Sequence, residues 1–329
     1  QLLITNRQYP EILVLEMGAD HPGDIAYLTG LAPCTVGVVT AIGEAHYEFF
    51  EELESIIREK QIIITHLEKD GAAVLGIDNE EVRSMISRTR ANVYTYGFSN
   101  DAQIYAHEET IAYEGEGRDR RPKGMWCKIS YEGATVPLHI PGVLGRSHLL
   151  AALAGVAVGI RYKLNLIEIA EALEHYEPQP GRMSIIDGIK KTTLVDDTYN
   201  ASPLAMVMAL DTLRSITIDE NAERYAVLGD MLELGNLTQT AHFDMGQRIG
   251  AFNVDFLVCV GERGKIIGAG AKASGFEEHR IAMFATSEEA GKFIQEKLKE
   301  GDIVLFKASQ GIRLEKAVEE VMAEPLDAK

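Results

Sequence analysis

Two adjacent carboxylates at the end of an apolar run are the residues whose types and position best suit chemistry. The run 192–195 has the composition of a buried strand and ends in Asp196 and Asp197, before a polar turn and a helical pattern from Leu204. In α/β proteins, ligands bind where a strand ends and a helix follows. Carboxylates there can hold a ribose hydroxyl or a metal ion, and N–H groups at the helix start can receive a phosphate. The structural alternative is that Asp197 makes the turn and Ser202 caps the helix.

Polar residues follow other strand-type runs in the same way. Glu16 comes directly after the apolar run 12–15, and His46 comes shortly after the run 36–40. The carboxyl ends of parallel strands meet at one edge of a sheet, so a carboxylate and an imidazole there can share a divalent cation. Taken singly, each residue also fits an ordinary polar position at a strand end.

Several further residues admit both a functional and a structural interpretation. Lys60 lies among apolar residues of a helical pattern, where a solvated lysine is common. Arg182 follows the proline-containing segment 177–181; it can contact a phosphate at a domain junction or lie exposed in a linker. His242 is expected at a helix surface or helix end. Acids and a lysine–serine pair also follow two later apolar runs: Asp230, Glu233, Lys307 and Ser309.

Strand-type runs alternate with helical patterns on both sides of segment 177–181, which predicts largely parallel sheets. Before it, we predict antiparallel hairpins over 102–139, one helix over 53–67, one over 145–160, and strands at 12–15, 36–40, 72–75 and 93–96. After it, we predict strands at 192–195, 225–228, 256–260 and 303–306, and helices at 203–215, 238–250, 263–274, 287–299 and 313–323. The length of 329 residues fits two domains, placed at 1–180 and 181–329.

Composition narrows the class of protein. The chain is 46% hydrophobic and 25% charged, as expected of a globular protein, and its net charge of −18 argues against binding nucleic acid or an anionic membrane. Cys34, Cys127 and Cys259 show neither disulfide nor zinc spacing, which fits a reducing, cytoplasmic setting. No apolar run reaches the roughly 18 residues of a membrane span, so we expect no membrane insertion.

Taken together, these stretches resemble the Mur ligase family from end to end of the chain. The resemblance is carried by Leu15-Glu16-Met17-Gly18-Ala19-Asp20-His21-Pro22-Gly23-Asp24, Ile42-Gly43-Glu44-Ala45-His46, Glu59-Lys60, Gly181-Arg182-Met183, Asp196-Asp197-Thr198-Tyr199-Asn200-Ala201-Ser202-Pro203 and Gly229-Asp230-Met231-Leu232-Glu233-Leu234-Gly235. It implies a central ATPase-type domain over 1–180, with a mostly parallel sheet plus antiparallel hairpins, and a Rossmann-like C-terminal ligase domain over 181–329.

The resemblance also implies a reaction. The family uses ATP to convert a carboxylate into an acyl phosphate, which an amine attacks to form an amide. The Glu-Met-Gly-Ala and Asp-Asp-Thr-Tyr-Asn motifs point to the branch that adds D-alanyl-D-alanine to a UDP-N-acetylmuramoyl tripeptide in peptidoglycan synthesis. The implied partners are therefore these small molecules, and we expect a monomer.

Roles for individual residues follow from the same resemblance. Mg²⁺ would be held by Glu16, His46 and Lys60, the last after carbamylation. Arg182 would contact the γ-phosphate of ATP and Asp197 its ribose, with Asn200 and His148 as further nucleotide contacts. Lys307 would join Lys60 and Arg182 in catalysis. The expected substrate residues are Tyr199, Ser202, Asp230, Glu233 and Ser309.

The sequence departs from the family pattern in three places. The Gly-rich phosphate-binding loop ending in Gly-Lys-Thr is not in this sequence; we expect it upstream, with the UDP-binding domain, and we expect this chain alone to turn over little ATP. The adenine-side motif Gly-Arg-His-Asn, with a second Asn three residues later, reads Gly145-Arg146-Ser147-His148 followed by Ala151. The Asn before the metal histidine's motif is Ala41, and Lys-Gly-Ser-Arg reads Lys307-Ala308-Ser309-Gln310.

Two other interpretations stay open. One is a divergent Mur-like ligase with another substrate, which the lost asparagines and Gln310 favour. The other is a non-catalytic Mur-like module that binds a nucleotide or a partner protein. The retained Glu16, His46, Lys60, Arg182 and Asp197 count against a module without catalysis.

Overall fold

The computed structural model describes residues 10–43, 53–117 and 120–324, and places two six-stranded sheets there. The strands are β1 (Val36–Val39), β2 (Ala72–Gly76), β3 (Asn92–Gly97), β4 (Ile104–Glu114), β5 (Arg121–Tyr131), β6 (Ala134–Pro141), β7 (Ser184–Asp187), β8 (Thr193–Asp197), β9 (Arg224–Leu228), β10 (Phe256–Val260), β11 (Ile281–Phe284) and β12 (Ile303–Lys307). The helices are α1 (Asp24–Leu31), α2 (Leu53–Lys60), α3 (Ile62–Thr65), α4 (Glu80–Ser84), α5 (Arg146–Arg161), α6 (Leu166–Leu173), α7 (Pro203–Ser215), α8 (Thr238–Arg248), α9 (Gly264–Ala273), α10 (Ser287–Lys297) and α11 (Glu315–Glu319). None of the helices in the described ranges is both long and apolar enough to cross a membrane.

The first sheet has the order β1-β2-β3-β4-β5-β6. Strands β1 to β4 pair in parallel, and β4, β5 and β6 pair antiparallel. Helix α5 packs over β2, β3 and β4 through a stripe of small and aliphatic residues that includes Leu149, Leu153 and Ala157. Burial of this stripe fixes α5, and Gly145 at its start lies close to Thr212 of α7 and to Met183.

The second sheet has the order β11-β10-β9-β12-β8-β7, with every pair parallel except the edge pair β7–β8. Its central strands β9, β10 and β12 are almost entirely buried and mostly apolar, as expected of a parallel sheet covered on both faces. Lys307 lies opposite Asp197 in the register of β12 and β8, so the carboxyl ends of these two strands meet at the same edge of the sheet. The predicted α/β class is confirmed, while β7 and β11 are strands that the sequence analysis missed.

Three predicted elements differ from those observed. The run 12–15 forms no strand, and its side chains are 48–87% exposed, because none of the described strands pairs with it. The single helix expected over 53–67 is two helices, α2 and α3, and Lys60 is the last residue of α2. The last helix starts only at Glu315, since Arg313 has φ +57°, a left-handed conformation that a helix does not accommodate.

The segment between the two sheets is fixed by backbone contacts. The Gly181 N–H donates to Asp196 Oδ2 at 2.9 Å, and the Gly181 carbonyl accepts from Tyr199 N at 3.0 Å. Gly181 has φ +72°, and a Cβ there would lie 3.0 Å from Tyr199 N, so this close crossing requires glycine. At the opposite end, Thr217 N donates to the Tyr113 hydroxyl at 2.8 Å. Further backbone hydrogen bonds join Leu144 N to the Met183 carbonyl and Ile185 N to the Gly142 carbonyl. These contacts hold the two halves together around a cleft; the proposed domain boundary at 180/181 stays a prediction.

Candidate functional site

A cleft of about 1060 Å³ lies between the two sheets. Its walls are the β4–β5 hairpin, the first turn of α5, segment 181–183, the loop after β8 and helix α7. Six of the residues predicted from the sequence line it: His148, Arg182, Asp197, Tyr199, Asn200 and Lys307. These residues come from positions 148 to 307 of the chain, and the fold places them around one space.

The two adjacent aspartates at the end of β8 have different tasks. Asp196 is 5% exposed and accepts hydrogen bonds from Gly181 N, Thr198 N and the Thr198 hydroxyl. Burial raises the pKa of Asp196, and the neighbouring charge of Asp197 acts in the same direction. Asp196 therefore holds the crossing segment, and Asp197 is the carboxylate that lines the cleft.

Lys307 is buried directly behind Asp197. Its ammonium donates to Asp197 Oδ2 and, at 2.9 Å, to the Asn200 carbonyl. The Lys307 side chain is 3% exposed and that of Asp197 is 14% exposed. Asn200 is itself exposed, and its side-chain oxygen accepts from Ala201 N. Lys307 thus fixes the carboxylate and the loop that face the cleft.

Arg182 places an exposed guanidinium in the cleft, where an anion can reach it. Its guanidinium stacks on the ring of Tyr199, with Cζ 4.2 Å from the ring centroid. Within the described ranges, no carboxylate lies within 4.0 Å of it. An exposed guanidinium held flat on an aromatic ring is well placed to bind phosphate oxygens.

His148 lies in the first turn of α5, close to Arg182 and to the ring of Tyr176, whose centroid is 6.4 Å away. Burial lowers the pKa of His148; the Arg182 carbonyl and the Asp197 charge raise it by less. The imidazole is therefore neutral near pH 7; its N–H is directed to the Arg182 carbonyl, and its other nitrogen is a hydrogen-bond acceptor.

Sequence reasoning missed other residues that shape the cleft. Arg146 stacks on Phe98 with Cζ 3.9 Å from the centroid and pairs with Glu109 at 3.3 Å. The sequence signal near Arg146 is Gly145, which directly precedes α5 and has φ +97°, a conformation that favours glycine. The contact between Arg146 and Glu109 of the β4–β5 hairpin could not be predicted from the sequence, because no local pattern indicates which face of a hairpin packs against a distant helix.

The other predicted substrate residues lie outside the cleft lining. Ser202 Oγ accepts from Ala205 N and caps α7, as the structural alternative for this residue predicts. Asp230 is 6% exposed and accepts from the backbone N–H groups of Arg263 and Gly264 at the start of α9. Ser309 is also buried, and its Oγ accepts from Leu232 N at 2.9 Å. Glu233 is exposed, with φ +61°. Asp230 and Ser309 thus shape the loops at the carboxyl edge.

His242 is fully buried, and the expectation of a surface histidine is wrong. Its Nε2 accepts from Met231 N at 2.9 Å, and its Nδ1 lies 2.6 Å from the Thr238 carbonyl, which requires the Nδ1–H tautomer. Burial lowers the pKa of His242, so the ring stays neutral. His242 therefore supports the loop 230–235 from below.

The stability of the protein is expected to fall as the pH drops below about 6.5, the value of an unperturbed histidine. The pKa values of His148 and His242 are lowered in the folded state, so their stabilising contribution is present above the unfolded pKa and is lost as the pH falls towards the folded pKa. Each buried histidine contributes a slope of up to about 1.4 kcal/mol per pH unit in that window. Thermal unfolding followed from about pH 8 to about pH 5 measures it.

Two variants separate the contribution of His242. His242→Gln is expected to unfold at a lower temperature at about pH 8. The slope of its unfolding free energy against pH is expected to fall by the contribution of one titrating group. His279→Gln, at an exposed histidine, is the matched control and keeps the full dependence. An unchanged slope in His242→Gln would contradict the neutral, buried assignment.

The residues expected to hold a metal are only partly within the described ranges. Glu16 is exposed, Lys60 is half-buried at the end of α2, and His46 lies outside the described residues. Glu59, next to Lys60, is 5% exposed and accepts from Gly23 N and Ile25 N at the start of α1. Within the described ranges, no three His, Cys, Asp or Glu side chains form a metal-binding group. The expected metal site therefore stays a prediction.

Comparison with known proteins identifies the family. The pattern described as the Mur ligase middle domain matches residues 1–159, and that of the Mur ligase, glutamate ligase domain, matches residues 181–310. The chain therefore belongs to the Mur ligase family.

Within this family, the chain is similar to proteins named UDP-N-acetylmuramoyl-tripeptide–D-alanyl-D-alanine ligase. That of Bacillus subtilis (strain 168) is 30% identical over 316 residues, which cover 96% of this chain and 65% of the relative. That of Mycobacterium leprae is 32% identical over 92% of this chain and 62% of the relative. The structure of MurF ligase from Thermotoga maritima in complex with ADP superposes with a TM-score of 0.82 at 27% identity, over 97% of this chain and 69% of that one. The chain thus spans somewhat less than two thirds of the two sequence relatives.

Proposed function

We propose that this protein is an ATP-dependent amide ligase of peptidoglycan synthesis that joins D-alanyl-D-alanine to a UDP-N-acetylmuramoyl tripeptide. The observation that carries the proposal is the convergence of Arg182, Asp197 and His148 on one cleft. The similarity to ligases of that name supports the choice of substrates.

The cleft suits a nucleotide in size and in chemistry. Its volume of about 1060 Å³ is at the upper end for small-molecule sites. Asp197 can accept from ribose hydroxyls, and the neutral ring of His148 can hydrogen-bond a base. Arg182 and the N–H groups at the start of α5 supply positive potential for phosphates. The Thermotoga maritima relative was crystallised in complex with ADP, which supports a nucleotide as the ligand.

The proposed reaction has two steps. A carboxylate oxygen of the tripeptide attacks the γ-phosphorus of ATP, giving an acyl phosphate and ADP. The amine of D-alanyl-D-alanine then attacks the acyl carbon, loses a proton, and displaces phosphate as the amide forms. Arg182 neutralises charge on the transferred phosphoryl group, and the walls of the cleft shield the acyl phosphate from water.

We propose that Mg²⁺ assists this reaction, held by Glu16, His46 and a carbamylated Lys60. Carbamylation turns the cation of Lys60 into an anionic oxygen donor, and oxygen donors are what Mg²⁺ prefers. The ion would neutralise phosphate charge when bound. Glu59 is excluded as a ligand, because its carboxylate is already bonded to the start of α1.

For the peptide substrates, we propose that Tyr199 and Glu233 make direct contacts, since both are exposed at the carboxyl edge. Ser202, Asp230 and Ser309 are bonded to backbone groups, and we propose that they shape the loops that receive these substrates.

The test is release of phosphate from ATP in the presence of UDP-muramoyl tripeptide and D-alanyl-D-alanine. It is run on this chain and on the product of its complete open reading frame. Phosphate release that needs both peptide substrates supports the proposal. Release with a different amine indicates a divergent ligase, and nucleotide binding without any turnover in either form indicates a binding module.

A further inference from the structure

Lys307 is the most deeply buried cation of the cleft. Its side chain is 3% exposed, and its ammonium contacts two acceptors of the same loop, Asp197 Oδ2 and the Asn200 carbonyl. A buried ammonium of this kind is stable only while its partners stay in place. Lys307 therefore lies in the floor of the cleft, beside the more exposed Asp197.

The pairing of Lys307 with Asp197 also offsets the repulsion between two adjacent carboxylates. Asp196 and Asp197 are adjacent carboxylates; burial raises the pKa of Asp196, and the charge of Asp197 adds to this effect. Asp196 is occupied with Gly181 and Thr198. Lys307 is the cation that offsets the second carboxylate, and it lies opposite Asp197 in the β8–β12 register. The parallel pairing of these strands thus builds the ion pair into the sheet.

We propose that Lys307 is a positioning residue that acts through Asp197: it orients that carboxylate, and the loop of Asn200, towards the ribose of a bound nucleotide. This inference rests on the proposed function. It differs from the catalytic role expected from the sequence, because in the positioning role Lys307 acts on the nucleotide through Asp197 and contacts neither the phosphates nor the amine. Two of the three N–H donors of the ammonium are already used by Asp197 and the Asn200 carbonyl, and the side chain is only 3% exposed, so little of it is presented to a ligand.

A double-mutant cycle with two probes tests the proposal. Lys307→Met, Asp197→Asn and the double variant are titrated calorimetrically with adenosine and with ADP. Each single change is expected to weaken both probes by about tenfold, and the double variant no more than either single one, since both changes remove the same oriented carboxylate. Lys272→Met, at an exposed lysine paired with Glu278, is the control and binds both probes as the unsubstituted chain does.

The opposite pattern would overturn the proposal. If Lys307 touches phosphate, Lys307→Met weakens ADP and leaves adenosine unchanged, and the losses of the two single variants multiply in the double variant. Thermal unfolding of the same variants gives an independent readout. Lys307→Met is expected to lower the midpoint, and the uncharged double variant to recover part of the loss; additive losses would contradict the pairing.

Failure of the proposed function gives a different result. In that case the unsubstituted chain binds neither adenosine nor ADP, while the coupling between Lys307 and Asp197 in thermal unfolding is still observed. That outcome would leave the ion pair intact as a structural feature and overturn its assignment to a nucleotide.

Discussion

Replacing Arg182 with alanine is expected to lower the rate of ATP-dependent ligation by about 10²- to 10³-fold. The guanidinium stacks on Tyr199 in the cleft and has no carboxylate partner among the described residues, so its charge is available to the transferred phosphoryl group. A group that meets charge developing in the transition state lowers kcat more than it raises the KM for ATP. Steady-state kinetics of the proposed ligation reaction measure both constants.

Arg146 is the matched control for this prediction. It lines the same cleft and also stacks on an aromatic ring, but its charge is already paired with Glu109. Arg146→Ala is expected to change kcat by less than about tenfold, because an exposed ion pair contributes little. Equal losses in the two variants would show that Arg182 acts by shaping the cleft and not by its charge.

Replacing Gly246 with alanine is expected to destabilise the protein by about 3 kcal/mol. Gly246 lies where α8 packs against α9, and a Cβ there would overlap the Ile267 carbonyl; Gly270 makes the reciprocal approach to the Phe243 carbonyl. The obstacle is backbone, so only separation of the helices can relieve it. Denaturant unfolding monitored by circular dichroism measures the loss.

Gly155→Ala provides the control of opposite sign. Gly155 lies in α5 and is exposed, and among the described residues no atom beyond its own helix backbone would come within 4 Å of an added methyl group. Alanine there is expected to stabilise the protein by up to about 1 kcal/mol, since glycine is the poorer helix former. If Gly246→Ala is tolerated as well as Gly155→Ala, the close helix approach is not essential.

Much of the fold was predictable because local patterns and tertiary demands agree. Helix α7 begins where Ser202 and Pro203 predict it, with the serine as cap and the proline in the first turn. The buried strands β9, β10 and β12 are mostly apolar runs, and their strand-type residues were recognisable in the sequence. The edge strands β7 and β11 have weaker patterns, since their side chains are only partly buried.

The candidate site was predictable only in part. Its position followed from polar residues at strand ends, which brought Asp197 and Lys307 to the same cleft. Which of these side chains are buried and which face a ligand could not be predicted, because a buried Asp230 and an exposed Glu233 look alike in sequence. The burial of His242 and of Lys307 was not predictable for the same reason: it depends on which distant backbone atoms receive these side chains.

Oxygen-18 in the substrate carboxylate reports whether ligation passes through an acyl phosphate. A UDP-muramoyl tripeptide labelled with oxygen-18 in its terminal carboxylate is incubated with ATP, D-alanyl-D-alanine and the active form of the protein. We expect one labelled oxygen in the released phosphate and the other in the new amide, because the attacking carboxylate oxygen leaves with phosphorus. Phosphate that carries only unlabelled oxygen, with amide formation or without it, would contradict ligation through an acyl phosphate.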